Sequence, residues 1–206
     1  MEKQDKKASI LSAAEKLFSE LGYEGTSTRL IAKEAGANMS MINYYFGSKE
    51  GVFIEIMNER IKHFNTQLVS ISEFRISPLE KLMKVIEEYT NRILCDISFH
   101  KMMHRELSLA QRPEMYCKLK DAIGANLNAI ENIINEGIEA DTFRKVDVRM
   151  LISTIMGTIT SVATTPSKIT RGSTLDITIP KDREILTTRL IVHLKDLVTT
   201  YLTPQK

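Results

Sequence analysis

Between Thr26 and Lys49 the chain writes two short helical patterns on either side of a tight glycine turn, and few arrangements other than a pair of crossed helices satisfy it. Thr26 or Ser27 can cap the first helix, because a hydroxyl at that point accepts a hydrogen bond from a backbone amide that has no partner inside the helix. Ile31, Ala32 and Ala35 give that helix one apolar face. Gly36 supplies the left-handed backbone that closes a helix C-terminus, and Asn38 is a good cap for the next. The turn is then about three residues long, the length a helix-turn-helix needs.

The second helix spans roughly Met39 to Tyr45. Ile42 and Phe46, spaced i and i+4, point back onto the preceding helices and leave Met39, Ser40, Met41, Asn43 and Tyr44 around the remaining surface. Such a surface suits a DNA major groove. Ser and Asn offer donors and acceptors to base edges, Met offers an apolar contact to a thymine methyl, and tyrosine hydroxyls reach phosphate oxygens. Ser27, Thr28, Arg29, Asn38, Tyr45 and Lys49 complete the expected DNA-binding set, with Thr28, Tyr45 and Lys49 as phosphate anchors. The same spacing also fits a plain helical hairpin with no nucleic-acid role.

Several residues around this core recur at the spacings of a known family. An amphipathic first helix ends Leu17-Phe18-Ser19-Glu20-Leu21-Gly22-Tyr23, followed by Thr26-Ser27, Ile31-Ala32-Lys33-Glu34-Ala35-Gly36 and Tyr45-Phe46-Gly47-Ser48-Lys49-Glu50. From about Lys7 to Phe53 the chain resembles the TetR family of bacterial transcriptional repressors. The resemblance implies an all-α protein: a three-helix DNA-binding domain over residues 1–50, with its helix-turn-helix at about 27–46, then a helical effector-binding and dimerisation domain over residues 51–206. It also implies double-stranded operator DNA, a small-molecule effector and a second copy of the chain as partners. Asn43 stands where many members carry a tyrosine, which exchanges a phosphate contact for a side chain able to address a base. Ala37-Asn38 replaces the more usual Val-Ser and keeps the cap chemistry.

Composition is consistent with this expectation. A chain of 206 residues without Trp, and with only 9 Gly and 5 Pro, suits a mostly helical protein with a sizeable core. No apolar run approaches the roughly 20 residues of a membrane span, and no hydrophobic signal core follows the charged first residues, so a cytoplasmic protein is expected. Cys95 and Cys117 lack metal-type spacing and read as buried, reduced thiols, with a redox role as the alternative. Residues 1–50 hold seven basic and seven acidic side chains, so any electrostatic footprint must come from placement. Lys6, Lys7, Arg29 and Lys49 are the cations available for it.

Beyond residue 50 the pattern is helix after helix. Val52, Phe53, Ile56, Arg60, Phe64 and Leu68 mark a long amphipathic helix that leaves the first domain; Ser77-Pro78 opens another, with Ser77 as cap and Pro78 at the first helical position. Further helices are expected over Phe99 to Ala110, Glu114 to Ala140, and two final segments. Those last two carry broad apolar stripes, Leu151, Ile152, Ile155 and Ile159 in one and Leu190, Leu194, Leu197 and Tyr201 in the other. By the resemblance they pair with the same helices of a second subunit as a homodimer, while intramolecular core is the alternative. Thr164 to Arg183 reads as a long loop in which only Leu175 to Ile179 alternates like a strand.

The middle helices would enclose an effector. Tyr89, Ile93, Phe99, Met102, Met103, His104, Leu107, Tyr116, Leu127 and Met156 are the expected lining, although the same spacing is that of ordinary core. Arg92, His104 and Arg105 are the cations within reach of an acidic effector. His100 and His104 sit i and i+4 with Glu106 nearby, a metal-clamp spacing with no matched third ligand, so a solvated or hydrogen-bonded face is expected and no metal. An enzyme would need a nucleophile with an oriented base, a phosphate loop or a full metal set; none is visible, so no catalytic residue or cofactor is expected. A helical interaction protein, or an enzyme without DNA binding, stays as the alternative to a repressor.

Overall fold

The computed structural model describes residues 2–108 and 113–204, and all regular structure in them is helical. The helices are α1 (Glu2–Gly25), α2 (Thr28–Glu34), α3 (Met39–Phe46), α4 (Lys49–Ser72), α5 (Pro78–Cys95), α6 (Ile97–Ser108), α7 (Pro113–Glu139), α8 (Val148–Thr164), α9 (Ser167–Thr170) and α10 (Pro180–Leu202). The expected end of α6 at Ala110 lies outside the described residues. No described helix is long and apolar enough to cross a membrane.

Two compact units divide the chain, and their boundary differs from a cut at residue 50. The first comprises residues 1–63 and 98–124; the second comprises 64–97 and 125–206. The long helix α4 therefore serves both. Val52, Phe53, Ile56 and Met57 of its first half enter the core of the first unit, and Phe64, Leu68 and Ile71 of its second half enter the core of the second.

In the first unit, Ile10, Ala14 and Phe18 of α1 pack with Ile31 of α2, Ile42 of α3 and Phe53 of α4, all of them buried. Its centre is aromatic. Phe18, Tyr23 and Phe53 have ring centroids 5.3–5.6 Å apart, one pair stacked and two edge-on, which are the favoured arrangements for ring quadrupoles. Phe99 and Met102 of α6 and Met115 and Leu119 of α7 belong to this same core. Arg60 ties three of the helices together: its guanidinium lies 3.8 Å from the centre of the Phe99 ring, and its Nε donates to Glu15 at 2.6 Å. A planar cation suits both tasks at once.

The second unit is built on α5, which packs against both α8 and α10. Ser77 and Glu80 form a reciprocal capping box at its start, and those hydrogen bonds hold the Glu80 carboxyl below the usual carboxylate range. Leu82, Ile86, Ile134, Ile159, Leu186, Leu194 and Val198 are fully enclosed. Lys81 is buried and donates to both carboxylate oxygens of Glu136 at 2.9 Å. Between Thr164 and Arg183 the expected loop contains the short α9, and the strand-like Leu175 to Ile179 forms turns, anchored by buried Ile177.

Burial corrects two sequence expectations. Leu151, Ile152, Ile155, Ile159, Leu190 and Leu194, expected at a dimer contact, are packed inside the protomer's own core; Leu197 is half-buried and Tyr201 is exposed. The strongest apolar stripes of α8 and α10 are satisfied within one chain. What α8 presents outward is Met150, Ser153, Thr154 and Gly157, and α10 presents Ile185, Thr188, Val192 and Thr199. The second correction concerns Cys95 and Cys117, both of which are exposed on the solvent sides of α5 and α7.

Candidate nucleic-acid interface and sensor cavity

The reading head is built by short-range hydrogen bonds that settle which residue plays which part. Of the two capping candidates, Ser27 holds the start of α2, accepting from the Leu30 amide at 3.2 Å. Thr26 instead is buried, and its hydroxyl lies 2.8 Å from the Gly22 carbonyl and 3.1 Å from that of Leu17. It closes the end of α1, where Gly22 breaks the helical path with φ +73°. At the far end of α2, Gly36 adopts φ +57°, the Ala37 amide donates to the Ala32 carbonyl, and the Gly36 amide donates to Lys33. This double closure is a Schellman turn and needs the left-handed residue that glycine provides. Asn38 then caps α3 by accepting from the Met41 amide at 2.9 Å.

These constraints fix the face that α3 turns outward. Ile42 is fully buried, while Met39, Ser40, Asn43 and Tyr44 are exposed, Tyr44 by 75%. Met41 and Tyr45, expected on the reading surface, are half-buried against the head's core, since they flank Ile42 on the inward side. Ser27 and Asn38 spend their side-chain oxygens on caps. Thr28 is half-buried at the first turn of α2, next to exposed Arg29.

The expected phosphate cations mostly hold the head together. Lys49 Nζ donates to the Tyr23 carbonyl at 2.9 Å and sits 4.2 Å above the Tyr23 ring, 3.9 Å from Glu24. Lys6 donates to the Gly36 carbonyl at 3.1 Å, and Lys7 pairs with Glu55. These contacts could not be read from charge alone. A measurable distinction follows. Lys49→Ala is expected to destabilise the head by about 1–2 kcal/mol with little change in the salt dependence of DNA binding. Arg29→Ala is expected to leave melting unchanged and to flatten the plot of log affinity against log salt by about one unit. Thermal melting and binding at several salt concentrations read both.

The expected effector lining divides between the two units. Phe99 and Met102 are core of the first unit, Met103 and Leu107 lie half-buried beside them, and His104 and Tyr116 are exposed. His100 is buried and His104, one turn on, is exposed, with ring centroids 6.3 Å apart. Among the described residues no group of three or more His, Cys, Asp or Glu is placed to hold a metal. In the second unit, Leu127 is exposed and Ile93 is core. Tyr89 and Met156 do line a cavity, together with Leu82, Val85, Ile86, Ile130, Ile152 and Ile155. Ile152 and Ile155 are among the residues expected at a dimer contact, and Leu82, Val85, Ile86 and Ile130 carry the pattern of an ordinary core stripe. The cavity's free space is about 10 Å³, room for a single water at most. Burial pushes the Tyr89 phenol up, against the opposing pull of a hydrogen bond with Thr160 and of nearby Arg92.

Known proteins resemble this chain in sequence and in fold. Residues 10–56 match the family model described as "Bacterial regulatory proteins, tetR family", and residues 75–164 match "Tetracyclin repressor-like, C-terminal domain". The chain is 28% identical over 165 residues to the fatty acid metabolism regulator protein of Bacillus subtilis, covering 80% of this chain and 84% of that one. It is 30% identical over 144 residues to the transcriptional repressor NicS of Pseudomonas putida, covering 66% and 64%. Among solved structures, that of FadR from Bacillus subtilis in complex with stearoyl-CoA superposes with a TM-score of 0.73 at 26% identity, covering 91% of this chain and 96% of that one. The fatty acid degradation regulator FadR of Bacillus halodurans gives 0.76 at 25% identity, with 94% of each chain covered.

Proposed function

The chain belongs to the TetR family of bacterial regulatory proteins and is a DNA-binding transcriptional regulator; from that premise we propose a repressor, held on its operator as a homodimer and released by a long-chain acyl thioester. The observation that carries the DNA half of this reading is the division of α3 into one buried side chain, Ile42, and an exposed face of Met39, Ser40, Asn43 and Tyr44. A helix held at both ends and apolar on one side only offers the other side to a groove. Asn43, able to bond adenine through both its amide atoms, is the residue assigned to base reading.

Two copies make the specificity workable. One short helix reads only a few base pairs, so a two-fold dimer calls for a pseudo-palindrome with half-sites about one helical turn or more apart. The outward faces of α8 and α10, with Met150, Gly157, Ile185 and Val192, are the surfaces assigned to the second copy.

The effector class rests on two supports. A relative similar over most of its length is solved with stearoyl-CoA, and the second unit of this chain contains a small cavity with no polar atom in its walls, the chemistry a hydrocarbon tail requires. Both halves are testable on one duplex carrying the regulator's own promoter. Binding should fall steeply with salt, as phosphate neutralisation requires. Asn43→Ala should reduce discrimination between operator and scrambled duplex by about 1–3 kcal/mol. Stearoyl-CoA should release the operator and free coenzyme A should not. Salt-independent binding, or indifference to every acyl thioester, would overturn the corresponding half.

A further inference from the structure

The cavity in the second unit has a feature that an acyl-binding site needs at one particular point. Its walls, from α5, α7 and α8, expose only carbon and sulfur, although a tyrosine is among them. The Tyr89 hydroxyl is engaged by Thr160, which leaves the ring as the wall. An enclosure with no polar atom holds water poorly, and close-packed interiors seldom retain unfilled space, because the lining atoms forfeit dispersion contacts. A hydrocarbon terminus loses nothing there. A thioester, a carboxylate or a phosphate would be left without a partner.

The present space of about 10 Å³ is too small for more than a fraction of an alkyl chain, so one wall must yield. Seven of the lining residues are branched aliphatics or the tyrosine, and of the aliphatics all are core residues of the unit. Met156 differs from them. It is half-buried, and its unbranched thioether has three rotatable bonds to swing aside without moving the helix backbone.

We propose that Met156 is the adjustable end wall of the effector site and sets the longest acyl chain the regulator accepts. This rests on the acyl-thioester reading above. With Met156 folded in, the site ends early; with it displaced, the cavity beside Tyr89 and Ile152 takes the terminal carbons of the ligand. Met156 touches no polar part of the ligand, so its replacement changes length preference and leaves recognition of the head group alone.

The experiment titrates saturated acyl-CoAs of increasing length against the full-length protein on its operator, and separately by direct calorimetric binding. Met156→Ala removes three heavy atoms from the end of the site and should move the preferred length up by about two methylenes, with the longer ligands gaining about tenfold in affinity. Met156→Phe fills the same space and should move the preference down by a similar amount. Opposite shifts in the two variants, with unchanged operator affinity in the absence of ligand, support the proposal; if one variant fails to fold, the direction of shift in the other decides. Acyl-CoAs that bind and release the operator with the same length preference in wild type and both variants would overturn the end-wall role while leaving the effector reading intact. Failure of every acyl-CoA to bind wild type would overturn both.

Discussion

Gly157→Glu combined with Val192→Asp is expected to give a folded monomer whose operator affinity is lower by about two to four orders of magnitude, the avidity lost when two linked reading heads become independent. The physical reason lies in what each position meets within one chain. A Cβ added at Gly157 finds open space, and Val192 is 61% exposed. Neither change disturbs the protomer, and replacing a mid-helix glycine should favour α8 by some tenths of a kcal/mol. In a dimer through these faces, the same two carboxylates are driven into a desolvated contact opposite their own symmetry mates. The contrasting pair is Ile155→Asp and Leu194→Asp. Both residues are enclosed in the core of the second unit, so those variants should lose structure rather than oligomeric state. Sedimentation and circular dichroism separate the two outcomes. A double variant at Gly157 and Val192 that stays dimeric would move the interface elsewhere.

Phe53→Ala is the second large effect. Phe53 is wholly buried and lies edge-on to both Phe18 and Tyr23, at 5.6 and 5.3 Å between ring centroids. Removing it deletes a large side chain from the middle of the head, for about 3–5 kcal/mol, and forfeits two ring contacts. That is a large share of the stability of a unit this size. The head's thermal transition should fall by about 15 °C or more, with loss of operator binding at physiological temperature. Phe53→Leu keeps most of the volume and should retain binding when cooled. Equal melting of the alanine variant and wild type would mean the aromatic cluster does not hold the head.

Much of this was legible in the residues, and the parts that were not share a cause. Local chemistry could be read: Asn38 and Ser77 as caps, Gly36 as the left-handed closure, and Ile42 as the inward residue of α3 each answer to neighbours within a few positions. Partners distant in sequence could not. Phe99 and Met102 carry the periodicity of any buried helix face, and nothing in that pattern says they join the core containing Phe18 and Ile42. Lys49 offered a charge suited to phosphate, but the Tyr23 ring and carbonyl that occupy it are set by the approach of α1 to α4. The apolar stripes of α8 and α10 were conspicuous because they are core. Apart from Met150, the outward residues of α8, Ser153, Thr154 and Gly157, are small and mostly polar, a pattern that reads as solvent-facing from sequence alone.

The measurement that bears most directly on ligand-controlled DNA binding is the affinity of stearoyl-CoA for the protein with and without saturating operator duplex. An effector that releases DNA must bind the DNA-bound form more weakly, by the same factor by which it lowers operator affinity, because the two bindings share one thermodynamic cycle. Each tenfold of release corresponds to about 1.4 kcal/mol of coupling. Stearoyl-CoA should bind more weakly in the presence of operator, by a factor matched to the loss of operator affinity when ligand is saturating. Equal affinities with and without operator would contradict it and leave the chain a DNA binder that the ligand does not control.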